Sequence, residues 1–321
     1  MKKSKQIPIL VTGAGGDIGF NIIKCLKDTD YNPYLLGCDI DPYAMGRCEV
    51  KKFLKAPRAI DHEKYFKFIR DNVKKYEIEY IYPSSEVEIE FFHRNREYFN
   101  KNGPVVLINN SITLNTFLDK YKTVNFLRNN SLPHPATFLI EDYAGQLDFP
   151  LLIKDRKSCG GKGLLTIRDS EELEFYKKRV TDAIIQEYIG TEDEEYTVGV
   201  FCDGKNTHSI CFRRHLGYGS LTKFVQLVHD PEVEHLVEKI AKACRLKGSI
   251  NVQLRKTMHG YIPFEINPRI SSTVYFRHYF GFQDVKWWLD LKENKPIEYR
   301  LKYKQGVGVR NVGEFFFEME R

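Results

Sequence analysis

The spacing of apolar and polar residues changes near residue 111. Before it, short apolar runs such as IPILVT, PYLLGCD and VVLIN alternate with longer stretches in which apolar residues recur at helical spacing. The short runs predict buried strands, and stretches such as DHEKYFKFIRDNVKKY predict amphipathic helices. Strands and helices that alternate in this way predict a doubly wound parallel sheet, with a ligand crevice at the carboxyl ends of its strands. Residues 13–16 and 84–86 would then share one rim.

Beyond residue 111 the apolar runs come in pairs, which predicts joined strands, with a hairpin for the last pair. FPLLIKD and GLLTIRD flank the loop RKSCGGK, AIIQEYIG precedes EYTVGVFCDG, and SINVQLRK precedes YIPFEIN. The stretch PEVEHLVEKIAKACRLK predicts a long helix, and the prolines of LPHPATFLI indicate a connector and an edge strand. The predicted fold class is therefore α/β followed by α+β, and we divide the chain at 1–111, 112–184, 185–300 and 301–321.

The composition indicates the general class of protein but says little about its function. The chain of 321 residues is 42% hydrophobic and 29% charged, the balance of a soluble protein with more than one domain. Its net charge of +6 suits an anionic substrate and equally a lysine-rich surface, and it carries no nucleic-acid motif. The seven cysteines form no CxxC pair, and no signal peptide or membrane-length apolar run is found. We therefore expect a cytoplasmic protein without nucleic-acid or membrane partners.

The stretch TGAGGDIG follows the first predicted strand and raises the possibility of dinucleotide binding. An acid, Asp39, ends the second predicted strand, as in a nucleotide-binding βαβ unit. Extended short-chain dehydrogenases, which this turn resembles, also need a tyrosine and a lysine four residues apart on one helix. None of the 19 tyrosines has a lysine four residues later. An NAD-dependent oxidoreductase or epimerase is therefore the alternative hypothesis, not the leading one.

The strongest chemical signal is the segment NVQLRKTMHGYIPFEINPR. A hairpin that turns at residues 258–260 would place Gln253 opposite Glu265 and Asn251 opposite Asn267. Cross-strand partners share a face, so these oxygen-bearing side chains would converge. Carboxylate and amide oxygens suit Mg²⁺ that is shared with substrate phosphates. The alternative interpretation is a polar, solvent-facing side of a hairpin.

Two further stretches carry weaker signals. In IKDRKSCGGKG, Lys154 ends an apolar strand and three glycines follow, whose backbone N–H groups could approach phosphate oxygens. The loop is not a Walker A loop, and a flexible hairpin tip is the alternative. In IIQEYIGTEDEEYTVGVF, the backbone of residues 187–189 could contact an adenine edge and Glu195 could accept from ribose hydroxyls. Acidic loops are more often simply solvated.

Taken in order, these motifs resemble those of the ATP-grasp superfamily, particularly its carbamoyl-phosphate synthetase-like and biotin-carboxylase-like members. The resemblance runs from about residue 7 to about residue 290. It implies a pre-ATP-grasp Rossmann-like domain over 1–111 that binds substrate, a first ATP-grasp subdomain over 112–184, a second with the metal site over 185–300, and a C-terminal tail over 301–321. The chain would be a stand-alone ligase, because it is far shorter than a carbamoyl-phosphate synthetase.

The resemblance also assigns roles to individual residues. LDKYKT places Lys120 at a phosphate-contacting lysine, FPLLIK places Lys154 at the second ATP lysine, and SCGGKG matches the phosphate-covering loop, although Cys159 departs from the small residues common there. The implied ATP contacts are Lys120, Lys154, Gly160, Gly161, Lys162, Gly163, Gln186, Glu187, Tyr188, Ile189 and Glu195. The implied ligands of Mg²⁺ or Mn²⁺ are Gln253, Glu265 and Asn267. Arg269 and Lys154 are the implied catalytic residues.

The activity implied by this resemblance is ATP-dependent ligation. A carboxylate would be activated as an acyl phosphate, with ATP converted to ADP, and then joined to an amine or a similar nucleophile. The candidate residues for the small-molecule carboxylate and amine are Ser84, Ser85, Glu86, Arg213, Ser271 and Arg277. A homodimer is compatible with the aromatic-rich C-terminal part. A non-catalytic ATP-binding regulator of the same fold is a third hypothesis, which the complete set of predicted ligands disfavours.

Overall fold

The computed structural model describes residues 6–157, 163–217, 219, 221–311, 313 and 315. The chain divides into two compact units. The first contains the described residues of Met1–Asn109, Arg269–Tyr303 and Asn311–Arg321, and the second contains those of Asn110–Pro268 and Lys304–Arg310. The chain therefore passes between the units more than once. The predicted boundaries at 111, 184 and 300 remain predictions.

The first unit is built on a five-stranded parallel sheet. Its strands are β1 (Ile7–Thr12), β2 (Pro33–Asp39), β3 (Lys52–Lys55), β4 (Tyr80–Tyr82) and β5 (Val105–Val106), in the order β3-β2-β1-β4-β5. This order reverses between β1 and β4, so the loops after these two strands flank the switch point where such sheets bind ligands. The predicted doubly wound parallel sheet is confirmed.

Among its described residues, the first unit has six α-helices. They are α1 (Asp17–Lys27), α2 (His62–Tyr76), α3 (Glu86–Arg94), α4 (Arg96–Asn102), and, from the later part of the chain, α9 (Val274–Phe280) and α10 (Asp284–Lys292). A capping box starts α3, because the Ser85 hydroxyl accepts from the Glu88 N–H and the Glu88 carboxylate accepts from the Ser85 N–H. The Tyr82 hydroxyl donates to the Val285 carbonyl at 2.7 Å, which ties α10 to β4.

The second unit begins with two helices and a four-stranded antiparallel sheet. The helices are α5 (Ser111–Phe117) and α6 (Lys120–Asn129), and the sheet contains β6 (Thr137–Leu139), β7 (Leu151–Asp155), β8 (Leu165–Ile167) and β9 (Ala183–Glu187) in the order β6-β9-β7-β8. Helix α7 (Ser170–Lys177) connects β8 to β9, and its Leu173 packs in the core of this sheet. The predicted joined strands β7 and β8 and the predicted edge strand β6 are confirmed.

A six-stranded antiparallel sheet completes the second unit. Its strands are β10 (Glu195–Cys202), β11 (Thr207–Leu216), β12 (Thr222–Val228), β13 (Gly248–Thr257), β14 (Gly260–Asn267) and β15 (Val307–Val309), in the order β14-β13-β10-β11-β12-β15. Helix α8 (Pro231–Ala243) packs on one face, where Val198, Val252 and Ile240 are fully buried. Because side chains alternate along a strand, the polar residues of β10 and β13 lie on the other face.

Parts of this unit were not anticipated from the sequence. Strands β11 and β12 form a hairpin that the apolar pattern does not predict, because β11 carries polar residues at both of its ends. Strand β15, in the segment 301–321 to which we assigned no structure beyond a tail, pairs with β12. In the described part of the chain, no helix is long and apolar enough to cross a membrane.

Candidate active site

The hairpin of β13 and β14 has the predicted register. Asn251 pairs with Asn267 and Gln253 with Glu265, and the chain turns between Thr257 and Gly260. Both predicted pairings are thereby confirmed, and the paired residues are cross-strand neighbours on one face. A β-bulge follows, since the next pair joins Leu254 to Pro263 and passes over one residue, Phe264. Bulges re-aim side chains, and the Phe264 ring at this bulge faces the cations of Lys154 and Arg255.

Lys154 reaches this face from the neighbouring sheet. Its Nζ donates to the Gln186 Oε1 at 2.6 Å and lies 5.4 Å from the centre of the Phe264 ring. Gln186 is held in turn, because its Nε2 donates to the Thr137 hydroxyl at 2.9 Å. Burial lowers the pKa of Lys154 to about 8; Glu265 opposes this shift, and the nearby positive charge of Lys120 adds to it. Lys154 therefore lies within electrostatic reach of Glu265, a predicted metal ligand, and of Lys120, a predicted ATP contact.

Lys120 is positioned by the start of helix α6. The Asp119 carboxylate caps this helix by accepting from the Tyr121 and Lys122 N–H groups at 2.9 and 3.2 Å. Burial raises the pKa of Asp119, but the Arg156 guanidinium, at 2.6 Å, and the two capped N–H groups together hold that pKa below its ordinary value. The Lys120 Nζ donates to the Asp155 carbonyl at 3.1 Å, next to Lys154 in the chain. The two lysines thus share the end of β7.

The hinge after β9 is held by side chains as well as by the sheet. The Glu187 Oε1 accepts from the Ala136 N–H at 2.7 Å, and the Ile189 carbonyl accepts from the Arg255 Nη1 at 3.1 Å. The Arg255 guanidinium also lies 5.1 Å from the Tyr188 ring centre and 5.6 Å from that of Phe264. The predicted adenine contacts are therefore fixed in place by an arginine of β13.

Glu195, at the start of β10, is enclosed by two arginines. Its Oε1 accepts from Arg214 and its Oε2 from Arg255, each through Nε and Nη2 at 2.7–3.1 Å. Arg214 also donates from Nη2 to the Gln253 Oε1 at 2.8 Å. The ribose role predicted for Glu195 is not tested by these contacts, but they show what the carboxylate already binds.

Two residues that the sequence analysis undervalued emerge here, Arg214 and Arg255. Neither is among the residues to which the sequence analysis assigns a role in the site. A signal for Arg255 was present: it stands two positions after Gln253, which places both on the same face of a strand. Arg213, the predicted substrate residue, instead donates to the Asp193 carbonyl at 2.7 Å and pairs with Glu194 at 3.4 Å, where it is partly exposed.

The phosphate-covering loop falls mostly outside the described residues, which include neither Gly160, Gly161 nor Lys162. The described end of the loop, Gly163, has a φ of +70°. A Cβ at this position would lie 2.1 Å from an Asp155 carboxylate oxygen, so both the backbone and the close approach require glycine.

The remaining predicted substrate residues belong to the first unit. The Ser84 hydroxyl donates to the Gly13 carbonyl at 3.1 Å, and Ser85 caps α3. Glu86 accepts from Arg269 at 2.8 Å, so a predicted substrate residue and a predicted catalytic residue form an ion pair. Their proposed roles remain predictions.

Ser271 and Arg277 are parts of a buried cluster in the first unit. Arg277 is 0% exposed, pairs with Asp284 at 2.9 Å and donates to the Ser271 hydroxyl at 3.3 Å. Because this guanidinium is fully buried, a substrate carboxylate could contact it only if the residues around it moved. The assignments of Ser271 and Arg277 to substrate stay untested, and the contacts we observe join α9 to α10.

The glycine-rich turn of the first unit uses its N–H groups internally. The Ala14 N–H donates to the Cys38 carbonyl at 3.0 Å, the Gly15 N–H to the Asp39 Oδ2 at 2.8 Å, and the Gly16 N–H to the Gly13 carbonyl at 3.0 Å. A dinucleotide would need such groups for its pyrophosphate and the acid for its ribose. The turn and Asp39 satisfy each other instead, so no contact here favours the oxidoreductase hypothesis.

With this geometry in view, residues 117–273 match the protein family described as ATP-grasp domain. This stretch contains the two lysines, the hinge and the β13–β14 hairpin. Residues 117–273 form an ATP-grasp domain. The predicted ATP-grasp resemblance is thereby confirmed.

Known proteins similar to the chain agree with this domain assignment. The carbamoyl phosphate synthase large chain of Clostridium botulinum (strain Alaska E43 / Type E3) is 30% identical over 147 residues, which cover 41% of this chain and 14% of that protein. The chain thus spans a small part of the length of this relative.

Two solved structures share the fold at lower identity. The biotin carboxylase domain of Hydrogenobacter thermophilus 2-oxoglutarate carboxylase, in a dimer with MgADP and bicarbonate, has a TM-score of 0.73 at 16% identity and covers 93% of this chain and 72% of its own. An L-amino acid ligase from Bacillus licheniformis has a TM-score of 0.70 at 17% identity and covers 92% and 76%. The predicted α/β and α+β fold class is confirmed.

Proposed function

We propose that the chain is an ATP-dependent ligase that activates a carboxylate as an acyl phosphate and joins it to an amine or a similar nucleophile. The single observation that carries the proposal is the convergence of lysine, arginine and carboxylate side chains between the two sheets of the ATP-grasp domain. The names of its structural neighbours, which include an L-amino acid ligase, support the same reaction class.

The charge balance of this region supports a polyanionic ligand. Six of its charged side chains are Lys120, Lys154, Arg214, Arg255, Glu195 and Glu265. Among these six the cations outnumber the carboxylates, and most are at least half-buried, where charges interact more strongly than in water. A nucleoside triphosphate would supply the missing negative charge, with its adenine at the hinge.

The β13–β14 hairpin fits a divalent cation by the chemistry of its donors. Glu265 and Asn267 alternate along β14 and therefore share a face, and Gln253 lies opposite Glu265. Carboxylate and amide oxygens suit Mg²⁺ or Mn²⁺. The described residues hold no group of three or more His, Cys, Asp or Glu side chains suited to a metal, so this single-carboxylate set would be completed by phosphate oxygens. When bound, the metal would supply charge neutralisation at the phosphates.

The chain's own residues would assist in two steps. In the first, a carboxylate oxygen of the acid bonds to the γ-phosphorus while the bond to the β-phosphate oxygen breaks and ADP leaves. Lys154 and Lys120 would offset the repulsion between the two anions. In the second, the amine nitrogen bonds to the carbonyl carbon, phosphate leaves, and the amine gives up a proton. Arg269, two residues after Asn267, would stabilise the transferred phosphoryl group.

The expected substrates, cellular compartment and oligomeric state are supported by fewer observations. Small-molecule acids and amines are the expected substrates. Glu86 and Ser84, on the rim of the parallel sheet, are candidates to contact the second substrate. A cytoplasmic location is supported by the free thiols, because none of the six described cysteines forms a disulfide. The homodimer remains a prediction.

Phosphate release tests the proposal directly. The protein would be screened with Mg-ATP over pairs of amino acids, hydroxy acids and amines, and a productive pair should release phosphate only when both members are present. Parallel fluorescence titrations with NADH and Mg-ATP separate the two nucleotide hypotheses. Saturable NADH binding without ATP binding would overturn the proposal in favour of the oxidoreductase.

A further inference from the structure

We propose that Glu195 is a positioning residue that aligns Arg214 and Arg255 within the nucleotide site, and that it does not bind the ribose of the nucleotide. This inference rests on the proposed ATP-dependent function and deepens it. It replaces the ribose role that the family resemblance implies for Glu195 with one that follows from the contacts of this chain.

The first step is the hydrogen-bonding capacity of the carboxylate. A carboxylate offers about four acceptor sites on its two oxygens. Arg214 occupies one oxygen through Nε and Nη2 at 3.0 and 2.7 Å, and Arg255 occupies the other through the same two atoms at 3.1 and 3.0 Å. Every acceptor site of Glu195 is therefore used. A ribose hydroxyl could donate to it only by displacing an arginine N–H.

The second step is burial, which makes such a displacement costly. Side-chain exposure is 7% for Glu195, 8% for Arg214 and 13% for Arg255. An arginine N–H that lost its partner here would have little access to water, and unpaired buried charges are strongly disfavoured. The triad is therefore expected to persist when a nucleotide binds.

The third step concerns the other acceptors to which each arginine donates. Arg214 donates to the Gln253 Oε1 at 2.8 Å, on the hairpin that carries the predicted metal ligands. Arg255 donates to the Ile189 carbonyl at 3.1 Å, in the predicted adenine hinge, and its guanidinium contacts the rings of Tyr188 and Phe264. One carboxylate thus fixes the two arginines that contact both ends of the proposed nucleotide site.

The chain supplies a matched control in the preceding residue. Glu194 pairs with Arg213, as Glu195 pairs with Arg214, but the Glu194–Arg213 pair is 3.4 Å long and both side chains are more than a third exposed, at 39% and 35%. Glu194→Gln therefore removes a charge of the same sign at the adjacent position without disturbing the buried triad. Exposed ion pairs of this kind contribute little.

The decisive experiment measures binding of Mg-ATP, 2′-deoxy-ATP and 3′-deoxy-ATP by calorimetry to the wild type, Glu195→Gln and Glu194→Gln. If Glu195 only positions, Glu195→Gln should weaken all three nucleotides by a similar factor, about tenfold, because the loss arises from displaced arginines. The ratio of ATP to deoxy-ATP affinity should stay within about twofold of the wild-type ratio, and Glu194→Gln should bind as the wild type does. A ratio that falls to one in Glu195→Gln alone would overturn the proposal, because it would show that the carboxylate binds a ribose hydroxyl.

A second measurement does not depend on nucleotide binding. Urea unfolding of Glu195→Gln, Arg255→Gln and the double variant forms a double-mutant cycle. We expect each single variant to lower the unfolding midpoint and the double variant to lower it by much less than the sum. Additive effects would overturn the positioning role. If the wild type bound no nucleotide but the cycle showed coupling, the proposed function would fail while the triad stood. If a glutamine variant did not fold, Glu195→Asp and Arg255→Lys would replace it in both measurements.

Discussion

Two regions of this molecule looked chemically promising in the sequence, and they differ in what they do with their polar groups. The glycine-rich turn of the first unit satisfies its own N–H groups, with the Asp39 carboxylate accepting from Gly15 at 2.8 Å. The polar face of the six-stranded sheet in the second unit carries two arginines and two glutamates, and Lys154, which approaches it from the other sheet, leaves the cations in excess. The comparison teaches that a ligand site is indicated by charge that the protein itself leaves unbalanced, not by a glycine pattern.

The same contrast holds for the energetics of the two regions. In the turn, removing a hydrogen-bond partner would strain a connection between a strand and a helix. On the sheet face, removing a carboxylate would leave cations facing one another, which is unfavourable at low exposure. Substitutions in both regions should therefore affect stability, but only those on the sheet face should also change nucleotide binding.

The largest effect is expected for Glu265→Ala, which removes the one carboxylate among the predicted metal ligands. Turnover of a productive substrate pair should fall by about 100-fold or more, because a charged group of the transition-state site is lost. The unfolding temperature should change by only a few degrees, since Glu265 lies on the edge strand β14. The control is Glu238→Ala on the exposed side of α8. Normal turnover in Glu265→Ala would show that the metal assignment is wrong.

A smaller effect is expected from pH, through the lowered pKa of Lys154, about 8. The charged ammonium, which favours phosphate, is present below this pKa and is lost as the pH rises through it. Nucleotide affinity should therefore weaken by about tenfold between pH 7.5 and pH 9, in proportion to the protonated fraction. Calorimetric titrations across this range measure it.

Lys154→Arg sharpens this test, because arginine stays charged throughout the range. Its affinity profile should be flat between pH 7.5 and pH 9, whatever its absolute affinity. An unchanged pH profile in the variant would show that a different group titrates.

The smallest effect on nucleotide binding is expected for Asp39→Asn in the turn of the first unit. The amide can still accept from Gly15, so Mg-ATP affinity should equal that of the wild type and stability should fall by about 1 kcal/mol. Thermal unfolding and calorimetry measure the two quantities together. A loss of ATP affinity that exceeded the loss of stability would contradict the separation between the two regions.

Much of the fold and part of the site could be read from local pattern. Period-two alternation predicted the β13–β14 hairpin and its register, because a slip of one residue would have turned Val252 and Leu254 to the polar face. Strand and helix alternation predicted the parallel sheet for a different reason, because strands that are covered by helices on both faces are apolar at consecutive positions.

Contacts between elements distant in the chain were not predictable in this way. The pairing of Glu195 with Arg214 and Arg255 joins three strands, and each residue by itself resembles an ordinary charged surface position. The ion pair of Arg277 with Asp284 joins residues only seven positions apart, but its burial depends on the packing of the first unit, so a residue assigned to substrate proved to be fully buried.

The sequence by itself determined the order of strands and helices outside β11, β12 and β15, the β13–β14 register and the types of oxygen and nitrogen ligand available, because these depend on neighbours along the chain and on the period of each element. Only the tertiary structure decided which charges face one another, which N–H groups are already satisfied, and which acid holds two arginines. Those outcomes depend on the pairing of strands and the burial of side chains, and burial is what makes an ion pair strong enough to select one arrangement.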